Sequence, residues 1–503
     1  MPDLDKRSHW ENLHQSFRQK INGVYLLSNG SGSNPLRRYN RTTGTVQTLI
    51  RGARRRRVRL RAVGSGWSFS PVAATDGFLL NTKQLTLPFS VKKTVTRKGS
   101  PAGLFLFQCG MTISAIGRYL RKKRRSLKTT GASNGQTLAG AVSTGTHGAA
   151  LDFGSMQDFV VAIHLATGQA RSVWLERASY PVVKASLAKK LDADLVRDDA
   201  LFDAALVGFG SFGVTLGLLV ATAPRFLLET HRLRQPLNDD LMEAMNTQSF
   251  TGLDLPRPGV RPHHFELLIN PHDLGGDTEA MVTVMYKQPY RDDYDRPALG
   301  EDDVGLGDDA LAFLSRFFDL LPFGASGPVI RRVVTSILAS QYKAFAAQLG
   351  TQAEVFAATS SRGKLASSGI AVPAERTSDA LDLLLRTHKR YGPFPGAIGM
   401  RFVKGTRATL GFTRYPQTCV LELDGVYGDR ARRFYGKLWP AFERSDIPHT
   451  YHWGKLHRLT PRRVANMYGN AVEDWIAARK SLLGTATREV FSSPFLESIG
   501  LTR

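Results

Sequence analysis

RAVGSGWSFSP at Arg61–Pro71 and TGASNGQTLAGAVSTGTHGA at Thr130–Ala149 are the two stretches whose reading decides the fold. Each sets glycine beside serine and threonine. Glycine lets backbone amides approach an anion with φ values that other residues avoid. Amides of that kind, with hydroxyl donors next to them, form a nest for phosphate oxygens. One nest would serve any nucleotide. Two at this spacing point to a long cofactor held at its pyrophosphate and again near its reactive end.

The rest of the chain sets bounds. Its 503 residues suit two or three domains, and 42% hydrophobic with 22% charged residues is ordinary for a globular protein with a large core. The balance of 67 Lys and Arg against 43 Asp and Glu gives a formal charge of +24. Two runs concentrate it, RGARRRRVRLR at 51–61 and RKKRR at 121–125. One reading is attraction to a polyanion, a nucleic acid or an anionic membrane surface. The other is a pair of solvated helix ends, where cations complement the helix dipole. The two cysteines, Cys109 and Cys419, exclude a disulfide framework and a four-cysteine zinc site. A cytoplasmic location fits this usage and the polar N-terminus, which lacks the apolar core of a signal peptide. The span-length apolar stretch Ala204–Ala223 is interrupted by glycines and reads as a buried turn and strand.

Periodicity predicts a helix over Asn40–Ala53, strands over Val58–Val63, Gly77–Leu80 and Gly103–Gln108, and a helix over Thr112–Arg124. A strand over Val160–Leu165 follows the second glycine segment. Composition shifts after Pro224. From there to His449 the pattern mixes strands (His264–Asn270, Ala280–Tyr286, Met400–Val403, Thr418–Leu423) with helices (Asp309–Phe318, Ile330–Leu349, Ser378–Tyr391). Arg291–Asp309 is acidic and glycine-rich and reads as a surface loop, and a last helix is predicted over Pro461–Leu483. Short strands alternating with helices indicate an α+β fold, without the strand–GxGxxG–helix unit of a Rossmann domain.

RAVGSGWSFSP, GQTLAGAVSTGTHG, GFGSFGVTLGLLVAT and YHWGKLH together resemble the vanillyl-alcohol-oxidase superfamily of FAD enzymes, nearest its sugar-1,4-lactone and alditol oxidase branch. The resemblance implies a two-subdomain PCMH-type FAD-binding domain plus an α+β cap domain with a mixed or antiparallel sheet. Residues 1–226 would bind FAD, 227–448 would form the substrate cap, and 449–503 would return to the FAD domain. It makes Gly64, Ser65, Gly66, Trp67 and Ser68 the pyrophosphate nest. Gly131, Gly135, Gln136, Thr137, Gly140, Ser143, Thr144, Gly145, Thr146, His147 and Gly148 would run along the cofactor. Gly213 and Val214 would approach its adenine side. Many relatives carry at position 67 a histidine bonded to the flavin; Trp67 cannot form that bond, so FAD is expected to be non-covalent.

Oxidising an alcohol with flavin needs a hydride acceptor, a group that takes the hydroxyl proton, and positive charge near the reduced ring. The resemblance places Lys455 near flavin and substrate and Arg401 over the flavin. The glutamate of the family's Glu-x-Arg strand is Gly399 here, which removes a carboxylate that would hold a polyol or lactone. Glu422 and Asp424, two apart on one strand, share a face and could supply one. His452 is a further candidate; His147 reads mainly as a packing residue. Ala141, Gly145 and Gly148 leave room for dioxygen, which favours an oxidase producing hydrogen peroxide. The expected reaction is FAD-dependent oxidation of a small alcohol, polyol or aldono-1,4-lactone. The alternatives are a flavin oxidase of a bulkier hydrophobic alcohol, motivated by apolar helices at Ala310–Leu321 and Ile330–Leu349, and a basic nucleic-acid-binding protein without enzyme activity. No metal site is expected.

Overall fold

The computed structural model describes residues 2–273, 279–296, 327–357 and 365–502. The helix predicted over Asp309–Phe318 and most of the acidic loop lie outside them.

Three sheets organise the chain. The first has four strands in the order Asp3–Asp5, Gly23–Ser28, Phe78–Gln84, Leu60–Val63, the last three mutually parallel. The Leu60–Val63 strand delivers the first glycine segment directly from its end. A 22-residue helix, Pro35–Arg56, packs beside it, capped by Asn34 and ended by Arg57 in the left-handed conformation. Its last turn holds Arg54, Arg55 and Arg56, so the first basic run is a helix C-terminus. The second run ends the helix Ile113–Lys122 in the same way.

The second sheet has six strands, ordered Asp194–Arg197, Ser172–Glu176, Val160–Ala166, Val214–Ala221, Leu104–Gln108, Pro88–Ser90. Leu104–Gln108, Val160–Ala166 and Ser172–Glu176 are buried at every position. The stretch Ala204–Ala223 divides into the end of the helix Asp199–Leu206, a glycine turn, and the strand Val214–Ala221. No described helix is long and apolar enough to cross a membrane.

The third sheet carries the chemistry. Its eight strands run Phe345–Thr351, Phe226–Pro236, Glu279–Pro289, His264–Ile269, Gly396–Lys404, Gln417–Val426, Leu365–Pro373, Thr450–Tyr451, each antiparallel to its neighbours. Alternation sorts its two faces. Ile398, Met400, Phe402, Leu421 and Leu423 point into a core with Leu381, Leu384, Phe434 and Leu438 of the helices Thr377–Tyr391 and Asp429–Arg444. Arg401, Glu422, Asp424 and Glu266 therefore take the opposite face.

Two predicted elements differ. Ile330–Leu349 is a helix only over Gly327–Gln341; Phe345–Thr351 then pairs as an edge strand with Phe226–Pro236. Pro461–Leu483 breaks into Pro461–Tyr468 and Ala471–Leu482, because Gly469 takes φ +56° between them. These C-terminal helices join the core of the first two sheets through Val464, Trp475, Ile476 and Leu482.

Burial also sets the acid response. It holds His14, His263, His272, His388 and His457 down at about 4 and His164 at about 3, against an ordinary 6.5. The unfolded chain binds these protons first as pH falls, so their contribution is complete above about 6.5 and is lost on the way down to 4. Asp158, raised by burial to about 6, works in the opposite direction. The midpoint of chemical denaturation should fall steadily between pH 7 and pH 5; a flat profile over that interval would contradict neutral burial of these rings.

Candidate functional site

The two glycine segments meet across one cleft. Gly64 sits against Thr137: a Cβ at Gly64 would lie 2.1 Å from the Thr137 Oγ1. Thr137 is the N-cap of the short helix Leu138–Ser143, but its hydroxyl makes no cap bond. Gly66 has φ +71°, which turns the first loop back on itself. The resulting cleft encloses about 1390 Å³, its open mouth included.

Of the expected cofactor residues, Gly64, Ser65, Gly66, Trp67, Ser68, Gly131, Gln136, Thr137, Gly140, Ser143, Thr144, Thr146 and His147 line this cleft. Gly135, Gly145, Gly148, Gly213 and Val214 do not. Space for a Cβ at Gly145 is taken by the Phe412 ring at 3.2 Å, and at Gly148 by the Thr130 carbonyl oxygen at 2.4 Å. The room read at those two glycines is therefore filled by protein, and of the three small residues only Ala141 opens on the cleft. Gly213 packs on the Ala166 carbonyl, and Val214 begins a buried strand. From the same turn it is Phe209, Gly210 and Thr215 that reach the cleft.

The cleft has the chemistry of a polar ligand site. Ser133 Oγ and Gln136 Oε1 line it, are buried, and find no hydrogen-bond partner among the described residues. Such groups cost roughly 1–3 kcal/mol each when left unsatisfied, which the polar edge of a flavin or its ribityl hydroxyls would relieve. The residues present fit an FAD.

One end of the cleft is ionic. Arg401, on Gly396–Lys404, is held between two neighbouring strands. Its Nε donates to Glu266 Oε2 at 3.0 Å and its Nη1 to Glu422 Oε2 at 2.5 Å. Lys455 Nζ donates to the other oxygen, Glu422 Oε1, and lies 3.7 Å from Asp424 Oδ1. Burial alone would raise the Glu422 carboxyl, but Arg401, Lys455 and His147 outweigh it and hold it well below its ordinary value. Glu266 is likewise pushed up by burial and pulled down further by His264 and Arg401. Asp424 accepts from the Ser367 hydroxyl and does not line the cleft, so of the two carboxylates it is Glu422 that faces the ligand.

Gly399 stands directly opposite Glu422 in the antiparallel register. A Cβ there would be 3.6 Å from the Glu422 Cβ and 4.0 Å from its Oε2. The carboxylate absent at 399 is thus replaced, from the next strand, by one that lies over the glycine. Periodicity gave no reason to single out Glu266; its only signal was a place two residues from His264 in HFELLI.

The segment Tyr451–Lys455 joins the ionic end to the first glycine loop. The Gly454 carbonyl accepts from the Phe69 amide at 2.7 Å, and the Trp453 carbonyl from the Ser70 hydroxyl at 2.5 Å. The His452 amide donates to the Gly369 carbonyl at 3.0 Å, which ties the segment to the sheet. The buried His452 Nδ1 accepts from the Gly454 amide at 3.0 Å, so its proton is assigned to Nε2. Burial first, then Lys455 and His147, drive this ring well below the usual imidazole value and keep it neutral. His147 Nδ1 meets the Gly148 carbonyl at 2.9 Å, and Nε2 lies 3.6 Å from Glu422 Oε1. Trp67 makes a T-shaped contact with the His14 ring, at 5.7 Å between centroids.

Residues 38–176 match a family model described as an FAD binding domain, and residues 308–497 match one described as D-arabinono-1,4-lactone oxidase. The L-gulono-1,4-lactone dehydrogenase of Mycobacterium tuberculosis is 25% identical over 460 residues, 88% of this chain and 92% of that one. L-gulonolactone oxidase of Bos taurus is 24% identical over 469 residues, 90% and 92% of the two chains. Among solved structures, a solvent-stable cholesterol oxidase superposes with a TM-score of 0.68 at 16% identity, covering 99% of this chain and 98% of that chain. A VAO-type flavoprotein from Myceliophthora thermophila gives 0.60 at 11%, covering 93% and 78%. At such identities the solved structures speak for the fold alone.

Substituting Gly64→Ala should force the Thr137 side chain away and part the two segments. Purified protein should then carry markedly less flavin per chain, read as the ratio of 450 to 280 nm absorbance; an unchanged ratio would remove this contact from the cofactor site.

Proposed function

From the matches of residues 38–176 to an FAD binding domain and of residues 308–497 to a D-arabinono-1,4-lactone oxidase model, we propose that this chain oxidises a hydroxyl carbon of an aldono-1,4-lactone or closely related polyol, with dioxygen as the acceptor. Residues 1–226 and 449–503 hold the cofactor in this reading, and 227–448 the substrate. The observation that carries it is Glu422, laid across Gly399 and braced by Arg401 and Lys455 at the end of a cleft lined by both glycine segments. A floor of buried carboxylates, a guanidinium and an ammonium matches a substrate rich in hydroxyls. It suits an apolar sterol or aromatic alcohol poorly, because burying such a ligand against charged groups strips them of solvent without replacing it. The names of the lactone-oxidising relatives support the same substrate class, and oxidases among them, with Ala141 open on the cleft, support dioxygen.

Bound FAD supplies a hydride acceptor for the carbinol carbon. The remaining steps belong to this chain. Glu422 accepts the hydrogen bond of the reacting hydroxyl and orients it. Being so strongly stabilised as an anion, it is a weak base. As hydride leaves, the hydroxyl proton becomes strongly acidic and passes along this hydrogen bond to Glu422; His147 Nε2, 3.6 Å from Glu422 Oε1, helps hold the carboxylate in place. His452 is a neutral Nε2–H donor to an oxygen in the cleft rather than a base. Lys455 would face the negative charge that the ring acquires with the hydride, while Arg401 fixes Glu422 in place between Glu266 and the cleft.

Glu422→Gln should lower kcat by roughly 10²-fold or more, and Arg401→Met should depress turnover, both with flavin still bound. Rates within twofold of wild type for either would take that residue out of the site. Trp67 offers no atom for a bond to flavin, so acid precipitation should leave the yellow colour in the supernatant. Colour retained in a washed pellet would overturn non-covalent binding.

A further inference from the structure

Two guanidinium groups, one lining the cleft and one behind it, are buried with only carbonyl partners among the described residues. Arg61 lines the cleft three residues before Gly64. It donates to the carbonyls of Val72 at 2.6 Å, of Phe209, and of Phe491 at 3.4 Å. Arg479, on the helix Ala471–Leu482, donates to the carbonyls of Ser211 at 3.0 Å and Arg488 at 2.7 Å. Both therefore grip the turn that follows the helix Asp199–Leu206, the turn whose Phe209 and Gly210 line the cleft. This differs from Arg401, which is neutralised by two carboxylates.

Carbonyls satisfy the donors but carry no net charge. Two positive charges remain in a poorly solvated region, where an unpaired ion is costly. The strain registers in the guanidinium groups themselves. Burial, then Arg479, brings Arg61 down to about 9; burial, then Arg488, brings Arg479 down to about 10. Dispersion contacts with the same turn could be made by methionine or leucine at no such cost. Retaining two cations there makes sense if an anion arrives beside them, and the dinucleotide brings two phosphates to a cleft lined by Arg61.

We propose that Arg61 and Arg479 form a fixed positive field that the cofactor's diphosphate completes, so that this chain selects the phosphorylated dinucleotide over unphosphorylated flavin. Backbone amides in the glycine segments shape the phosphate contact. The arginines supply the full charge that amide dipoles lack, and they act through the turn at Phe209–Ser211 as well as directly.

The test titrates cofactor-stripped protein with FAD and with riboflavin, which lacks phosphate. Wild type should prefer FAD strongly. Arg61→Met should weaken FAD at least tenfold and leave riboflavin within twofold; Arg479→Met should shift the preference in the same direction by less; Arg61→Lys should keep most of it. Parallel losses for both ligands would mean a purely architectural role and overturn the proposal, as would unchanged FAD affinity. Where Arg61→Met does not fold, Arg479→Met, whose side chain does not line the cleft, carries the same two outcomes. No substrate is present in these titrations, so their result is separate from that of the turnover measurements.

Discussion

Burying Glu422 is the constraint to which the functional half of the molecule answers. A carboxylate at 2% exposure is tolerable only with cations against it. Arg401 comes from the neighbouring strand and Lys455 from the segment that closes on the first glycine loop. Removing one partner of such a cluster typically costs about 3–5 kcal/mol, so the ionic end is structural glue as well as chemistry. The antiparallel register that sets Gly399 opposite Glu422 gives the carboxylate its room. The same register brings Glu266 beside Arg401, so the guanidinium plane is fixed from both sides.

The second constraint is close backbone approach. Gly64 tolerates Thr137 because it has no Cβ, and Thr137 gives up its cap bond to sit there. The strand Leu60–Val63 and the helix Leu138–Ser143 are thereby held to a single spacing, and that spacing is the width of the cleft. Tyr451–Lys455 then locks the first loop through Phe69 and Ser70 while hydrogen-bonding to Gly369. The cleft and its ionic end are thus coupled through five consecutive residues, which explains how groups from three sheets reach one point.

Much of the fold was legible where local forces decide it. The helices Pro35–Arg56, Ile113–Lys122 and Thr377–Tyr391 show an apolar stripe and basic last turns in the sequence. Glycine and hydroxyl clustering marked both segments that line the cleft, since tight turns with exposed amides need these residue types wherever they occur. Reading failed where pairing with a distant strand decides. Phe345–Thr351 continues an apolar helical pattern, yet the free edge of Phe226–Pro236 captures it. At Gly145 and Gly148 small size was taken as space for a ligand, and only packing reveals that Phe412 and Thr130 occupy it.

The sequence by itself determined that two amide-rich loops exist and that a long anionic cofactor suits them, because backbone freedom and side-chain chemistry travel with each residue; Arg401 and Lys455 came from the resemblance that its motifs carry. Only the tertiary structure decided that Glu422 rather than Asp424 faces the cleft, that Glu266 shares Arg401, and that Arg61 meets the turn gripped by Arg479. Strand register, and the burial that comes with it, sets those relations, and neither can be read one residue at a time.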